Sequence, residues 1–131
     1  MLVDPIARYL GEVESAVEQL DFAYVERYEE EAVAPDRVNL RIRVRFPSGH
    51  MLELNEAIIA EEASVIHLAY RYHFQDGKAN LIFRYDNTPH FQHLDSFPHH
   101  KHLSDEIVPV DQPSVIEVIE EAKSMALPIG L

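Results

Sequence analysis

Strict alternation of apolar and polar side chains between residues 38 and 46 restricts the fold of this chain more than any other feature. The apolar positions are Val38, Leu40, Ile42, Val44 and Phe46, and the positions between them are Asn39, Arg41, Arg43 and Arg45. A period of two is typical of a β-strand with one buried face and one exposed face. Similar runs cover residues 66–74 and 79–85. The pattern therefore predicts an antiparallel sheet with one polar face.

Helical patterns flank these strands. Asp4 and Pro5 are typical of an N-cap followed by a first helical residue, and apolar residues then recur at helical spacing. We expect an α+β fold with a curved antiparallel sheet of about five strands and both helices on one face. The predicted single domain over residues 1–131 divides into a helix at 1–20, an antiparallel meander at 21–87, a His/Pro-rich loop at 88–112 and a helix at 113–126.

The hairpin around Asp76-Gly77 has a pattern from which its register can be predicted. A two-residue primed turn at this dipeptide places Tyr72 opposite Leu81 and Leu68 opposite Tyr85, so that apolar residues meet apolar residues. The partners then expected on the polar face are His73 with Asn80, Arg71 with Ile82, Ala69 with Arg84, and His67 with Asp86.

Charge is distributed unevenly along an acidic chain. The 23 acidic residues exceed the 11 lysines and arginines, but residues 37–50 contain four arginines and no acid. Because salt limits the reach of a charge to about 8–10 Å, such a local basic surface can bind phosphate in an acidic protein. The residues expected to contact nucleic acid are Arg41, Arg43, Arg45 and Arg71. The alternative is that these arginines pair with Glu53, Asn55 or acids of the neighbouring strand.

The composition also predicts a location. The chain has no cysteine, which excludes disulfides and thiolate chemistry. Residues 1–10 lack the basic start and unbroken apolar run of a signal peptide. No stretch approaches the roughly 20 apolar residues that a membrane span needs. We therefore expect a cytoplasmic protein without a membrane partner.

Histidines are concentrated after the hairpin, where His90, His93, His99, His100 and His102 lie within thirteen residues. Imidazole exchanges protons near neutral pH, as acid–base cleavage of a phosphodiester requires. Such a site cuts RNA by activating the ribose 2′-hydroxyl, with no cofactor. The expected catalytic residues are His73, Arg84, Asp86, His90, His99, His100, Lys101 and His102. In this set Arg84 and Lys101 stabilise charge on the phosphate, and Asp86 orients a histidine or binds a metal.

Imidazole is also a common metal ligand, which leaves other interpretations open. A divalent metal such as zinc could be bound by residues drawn from Asp86, His90, His93, His100 and His102. That metal could serve a nuclease that uses Asp86 with two histidines. The same loop could instead belong to a non-catalytic binding module that holds a metal or a segment of a partner protein. The remaining alternative is a purely structural role, in which the histidines pack against prolines.

Two blocks of the sequence are familiar. The segment YRYHFQDGKANLIFRYDNTPH at residues 70–90 and the segment FPHHKH at residues 97–102 resemble the signature blocks of the TumE family of toxins from prokaryotic toxin–antitoxin modules. The strong resemblance covers approximately Ala69–Pro109. The matching positions are Tyr72, His73, Arg84, Tyr85, Asp86, Asn87, Pro89, His90, Pro98, His99, His100, Lys101 and His102.

The resemblance implies a toxin whose partner is an antitoxin with a helix-turn-helix domain. In the non-catalytic alternative, the histidine loop would hold a segment of that antitoxin. Members of the family often have a second histidine after His90, whereas this chain has Phe91, so either His93 replaces that histidine or the site is degraded. We expect the chain to cleave RNA and leave open whether it forms a homodimer. This hypothesis requires that Arg84 and Asp86 share a pocket with the histidines that follow them.

Overall fold

Two helices and seven strands are present in residues 1–126, the part of the chain that this computed structural model describes. They are α1 (Asp4–Glu18), β1 (Tyr24–Ala34), β2 (Arg37–Arg45), β3 (Met51–Glu61), β4 (Ser64–Gln75), β5 (Leu81–Asp86), β6 (His100–His102), β7 (Ile107–Pro109) and α2 (Val115–Ala126). The strands form one antiparallel sheet in chain order. The predicted α+β class is confirmed.

The helices cover one face of this sheet. Both contact β3 and β4, and their apolar residues join the core that the buried side chains of β2 form. Helix α1 begins at Asp4 itself, so the prediction that Asp4 is the N-cap is wrong; Val3 is the N-cap and provides no side-chain hydrogen bond. The Asp4 carboxylate instead lies in the first turn, where the positive end of the helix dipole favours an acid.

The sheet extends into the predicted loop at residues 88–112. Strands β6 and β7 lie within this segment, so the sheet has seven strands instead of about five. Each has only three residues. A run of this length is too short to show a period of two. Strand β6 forms because its backbone pairs with β5, and β7 forms because its backbone pairs with β6.

The hairpin between β4 and β5 has a longer connection than expected. Tyr72 lies opposite Tyr85 and not opposite Leu81, and Gln75 pairs with Leu81. The Asp76 carboxylate accepts hydrogen bonds from the backbone N–H groups of Lys78 and Asn80, which stabilises the loop. The predicted two-residue turn and all four polar-face pairs are therefore wrong. Arg71, His73, Arg84 and Asp86 stay on the polar face, however, because the register between these strands moves by an even number of residues.

A β-bulge at Leu68 changes which side chains of β4 are buried. Ala57 pairs with Ala69, whereas Ile58 pairs with His67, so Leu68 is an extra residue. Beyond the bulge the faces are exchanged, and His67 lies on the helix-covered side near Glu56. The expectation that Leu68 and Ile66 share the buried face of the tyrosines is wrong, since they are 46% and 42% exposed.

Two rows of polar residues cross the sheet on the face opposite the helices, which we call the polar face. The Asp86 row contains Arg41, Asn55, Arg71, Asp86 and His100, in order from β2 to β6. The Arg84 row contains Arg43, Glu53, His73, Arg84 and His102. Four strand spacings of about 4.8 Å separate the two ends of each row, which is about 19 Å.

Candidate functional site

Asp86 lies between the imidazoles of His100 and His102, where the Asp86 row and the Arg84 row reach β6. His100 Nε2 lies 2.8 Å from Asp86 Oδ1, and His102 Nε2 lies 3.4 Å from Asp86 Oδ2. The Asp86 carboxylate also accepts a hydrogen bond from the backbone N–H of Thr88. Asp86 and His100 are buried, with 5% and 1% exposure. A buried carboxylate requires such partners, because it has lost its hydration.

The orientation of His100 is set by its second ring nitrogen. His100 Nδ1 lies 2.9 Å from the carbonyl oxygen of Pro98, to which its N–H donates. That bond turns Nε2 toward Asp86. Histidine ligands of metals are often held in this way, with one nitrogen donating to a backbone carbonyl.

Arg84 carries positive charge beside this pair. Its Nε atom lies 3.5 Å from Asp86 Oδ2, and its side chain is 25% exposed. Burial, reinforced by the Arg84 guanidinium, lowers the pKa of His102 below its usual range. His102 is therefore favoured in its neutral form, which can accept a proton or bind a metal.

His73 lies on the other side of Arg84 in the same row. It is the cross-strand partner of Arg84 on β4, as His102 is on β6. His73 Nε2 contacts the side-chain oxygen of Gln75 at 2.9 Å. Within residues 1–126, His73 Nδ1 and Arg84 Nε are buried and make no hydrogen bond. Two histidines thus flank an arginine whose donors the protein does not fully use.

Phe91 packs against the histidines of this region. Its ring lies edge-on to those of His100 and His102, with centroid distances of 5.1 and 6.0 Å. His90 and His93 contact the same ring from outside and are exposed. Phe91 therefore lies between the exposed His90 and His93 and the less exposed His100 and His102. Its φ of 61° is unusual for a residue with a side chain.

Three residues of the predicted catalytic set lie elsewhere, and one of them is the exposed His90, which contacts Phe91. Lys101 follows His100 on β6, so its side chain is on the helix-covered face, where it pairs with Glu121 at 2.9 Å. His99 contacts the Tyr70 hydroxyl through Nδ1 at 2.8 Å, and burial lowers its pKa. The structure does not bring Lys101 or His99 to Asp86.

The predicted metal ligands are only partly brought together. Among residues 1–126, the donor atoms of Asp86, His100 and His102 all lie within 4.8 Å of one another. His90 and His93 are not part of this group. An aspartate with two histidines is a donor set that suits zinc with one position left open.

The four arginines expected to bind RNA all lie on the polar face, but their surroundings differ. Arg43 pairs with Glu53 at 3.3 Å, and Arg45 pairs with Glu26 at 3.2 Å. The pairing alternative therefore describes these two. In the part of the chain described, no carboxylate oxygen lies within 4.0 Å of a side-chain nitrogen of Arg41 or Arg71.

Sequence reasoning missed a second polar cluster, which lies on the helix-covered face. The Glu56 carboxylate accepts hydrogen bonds from the Tyr9 and Tyr72 hydroxyls, and His67 Nε2 lies 2.9 Å from it. Burial, with the charge of Glu56, raises the pKa of both tyrosines. A signal was available: the alternation of β3 places Glu56 between buried Leu54 and Ile58.

Comparison with known proteins identifies the family of this chain. The family model described as Toxin TumE matches residues 13–125, which is most of the chain. The chain belongs to the TumE toxin family. The resemblance seen in the two sequence blocks is thus confirmed, and the match also covers the core strands. No curated protein and no solved structure matches the chain.

Family membership makes the chain the toxin component of a toxin–antitoxin module, with an antitoxin as its partner. Within residues 1–126, neither helix has the length and apolar character needed to cross a membrane. The family match and the site geometry coincide, because Asp86, His100 and His102 all lie inside the matched range.

Proposed function

We propose that this toxin cleaves RNA at the Arg84 row by histidine acid–base chemistry. The observation that carries the proposal is that His73 and His102 flank Arg84 on the polar face. A phosphodiester bound to the Arg84 guanidinium would have an imidazole on either side, which is the arrangement that proton transfer at both oxygens requires.

Each group has a separate task in this mechanism. Neutral His102 accepts the proton of the ribose 2′-hydroxyl, and the 2′-oxygen attacks phosphorus. The bond to the 5′-oxygen breaks, and protonated His73 supplies the proton to that leaving oxygen. Arg84 stabilises the charge that develops on the phosphate. The products are a 2′,3′-cyclic phosphate and a 5′-hydroxyl.

Asp86 and His100 are positioning residues in the same proposal. Asp86 orients His102 through the contact between its carboxylate and the His102 ring. The 2.8 Å contact between Asp86 and His100 keeps that carboxylate in position. His100 is only 1% exposed, so it is poorly placed to touch RNA directly. This arrangement resembles the general logic of a base that a carboxylate orients.

The test is incubation of purified toxin with RNA, followed by mapping of the ends. We expect a cyclic phosphate and a 5′-hydroxyl, and a loss of about 100-fold or more in rate for His102→Ala or His73→Ala. Lys101→Ala should stay within about twofold of the parent, because Lys101 faces the helices. RNA that stays intact, or full activity in both histidine variants, would contradict the proposal.

A second candidate is metal-dependent cleavage at Asp86, His100 and His102. It is favoured by the three converging donor atoms and by the Pro98 carbonyl that orients His100. A divalent ion held there would supply an activated water. Metal analysis of the purified toxin separates the candidates: stoichiometric zinc together with silencing by a chelator supports the metal, whereas full activity in chelator supports the histidines.

A further inference from the structure

We propose that the groove between Arg41 and Arg71 binds a nucleotide of the RNA chain adjacent to the bond that is cut, an inference that rests on the proposed RNA cleavage. The groove has a volume of about 690 Å³. That volume lies within the range of pockets that hold small ligands. It occupies the Asp86 row between the arginines of β2 and the histidine site.

The charge of the groove suits a phosphate. Arg41 and Arg71 both line it, and within residues 1–126 neither has an acidic partner within 4.0 Å. Glu29, the cross-strand neighbour of Arg41, is bound to Arg27 at 2.9 Å instead. Of the acids that line the groove, Glu53 pairs with Arg43 at 3.3 Å, and the side chain of Glu56 is fully buried on the other face. Two guanidinium groups are therefore free to bind an anion.

The shape of the groove suits a base and a ribose. Its floor contains Ala57 and Ala69, which are cross-strand partners and leave room above the sheet. Leu68, placed outward by its bulge, and Pro89 line the same groove. These apolar groups offer a surface to the face of a base, and the Asn55 amide offers a donor and an acceptor.

The groove also adjoins the reacting groups. Arg71 is the cross-strand partner of Asp86, one strand from the histidines. Asp86 in turn pairs with His100 on β6, the strand that also carries His102. A nucleotide in the groove would thus be continuous with a phosphodiester at Arg84.

The experiment measures binding in a His102→Asn background, in which cleavage is blocked. A labelled single-stranded RNA of about ten nucleotides is titrated against this protein and against versions that also carry Arg41→Ala, Arg71→Ala or Arg37→Ala. Arg37 is the matched control, because it lies on the same strand and does not line the groove. We expect about tenfold weaker binding for Arg41→Ala and Arg71→Ala. The slope of log affinity against log salt concentration should decrease in magnitude by about one. Arg37→Ala should weaken binding by less than about twofold.

A second variant tests shape without changing charge. Ala69 is exposed, so Ala69→Phe fills the floor without entering the core. We expect it to weaken RNA binding by about tenfold while the thermal unfolding temperature stays near that of the parent. Competition by adenosine monophosphate further supports a pocket for one nucleotide.

The outcomes separate this inference from the proposed cleavage. No RNA binding, equal losses for Arg37→Ala and Arg41→Ala, or an unchanged affinity in Arg71→Ala overturns the groove even if the parent protein cleaves RNA. Binding that depends on Arg41 and Arg71, together with intact RNA in the parent protein, supports the groove and refutes the cleavage.

Discussion

His100 and Asp86 are cross-strand partners whose side chains also bond, with His100 Nε2 2.8 Å from Asp86 Oδ1. The pairing of β6 with β5 therefore both forms this short strand and assembles the site. Residues of the predicted loop become part of the sheet, and the same register places their imidazoles against a buried carboxylate.

Asp86→Asn should abolish most of the activity. The amide keeps one acceptor but presents an N–H₂ group to the other imidazole, so one of the two histidines loses its partner. We expect about 10- to 100-fold slower RNA cleavage and a loss of about 1–3 kcal/mol in the free energy of unfolding. Cleavage assays and urea unfolding measure these effects. Asp105→Asn, at an exposed position, is the control; wild-type activity in Asp86→Asn would remove Asp86 from the mechanism.

The pH profile of cleavage should report the environment of His102. Burial and the Arg84 guanidinium lower its pKa, so the neutral base persists below pH 6.5 and the acidic limb of the profile lies below that value. Arg84→Gln removes one of these causes, and the limb should move to higher pH although the rate also falls. A limb that does not move, or moves to lower pH, would show that His102 is not the base.

Glu56 should matter for stability. Replacement by Gln removes the charge that accepts from two tyrosines, and the Glu56 side chain is fully buried, so we expect a loss of about 1–3 kcal/mol in the free energy of unfolding. Glu53→Gln is the matched control on the same strand. Its partner Arg43 is 38% exposed, so the loss should stay below about 1 kcal/mol. Equal effects in urea unfolding would mean that the Glu56 cluster is not a buried network.

Substitutions of Phe91 should affect stability in two opposing ways, because loss of the ring destabilises the protein and relief of backbone strain stabilises it. Both Phe91→Ala and Phe91→Gly remove the ring from the imidazoles, which should cost about 1–2 kcal/mol for a half-buried side chain. Only Gly adopts a φ of 61° without strain. We therefore expect Phe91→Gly to be more stable than Phe91→Ala by about 1 kcal/mol, as measured by thermal unfolding. The reverse order would mean that this backbone conformation is not kept.

Much of the fold could be predicted from local pattern. The alternation of β2 determined both its strand and its faces, because one register buries Leu40 and Ile42 and exposes Arg41. The helices followed from periodicity in the same way. The pattern failed at Leu68, where one extra residue exchanges the faces of β4, and at Asp76, whose side chain stabilises a longer loop. Neither the extra residue nor the longer loop changes the composition or the hydrophobic period of its segment enough to be predicted from the sequence.

The sequence by itself determined which titratable side chains are concentrated after the hairpin and, within the long strands, to which face each side chain belongs. Arg84 and Asp86 share a parity, because alternate residues of a strand lie on one face. His100 and His102 fell in a predicted loop, so the sequence assigned them no face. Only the tertiary structure decided which of these residues meet. The pairing of β5 with β6 gathers Asp86, His100 and His102 and leaves Lys101 on the other side. Hydrogen bonding between strands distant in sequence sets that register, and no local pattern encodes it.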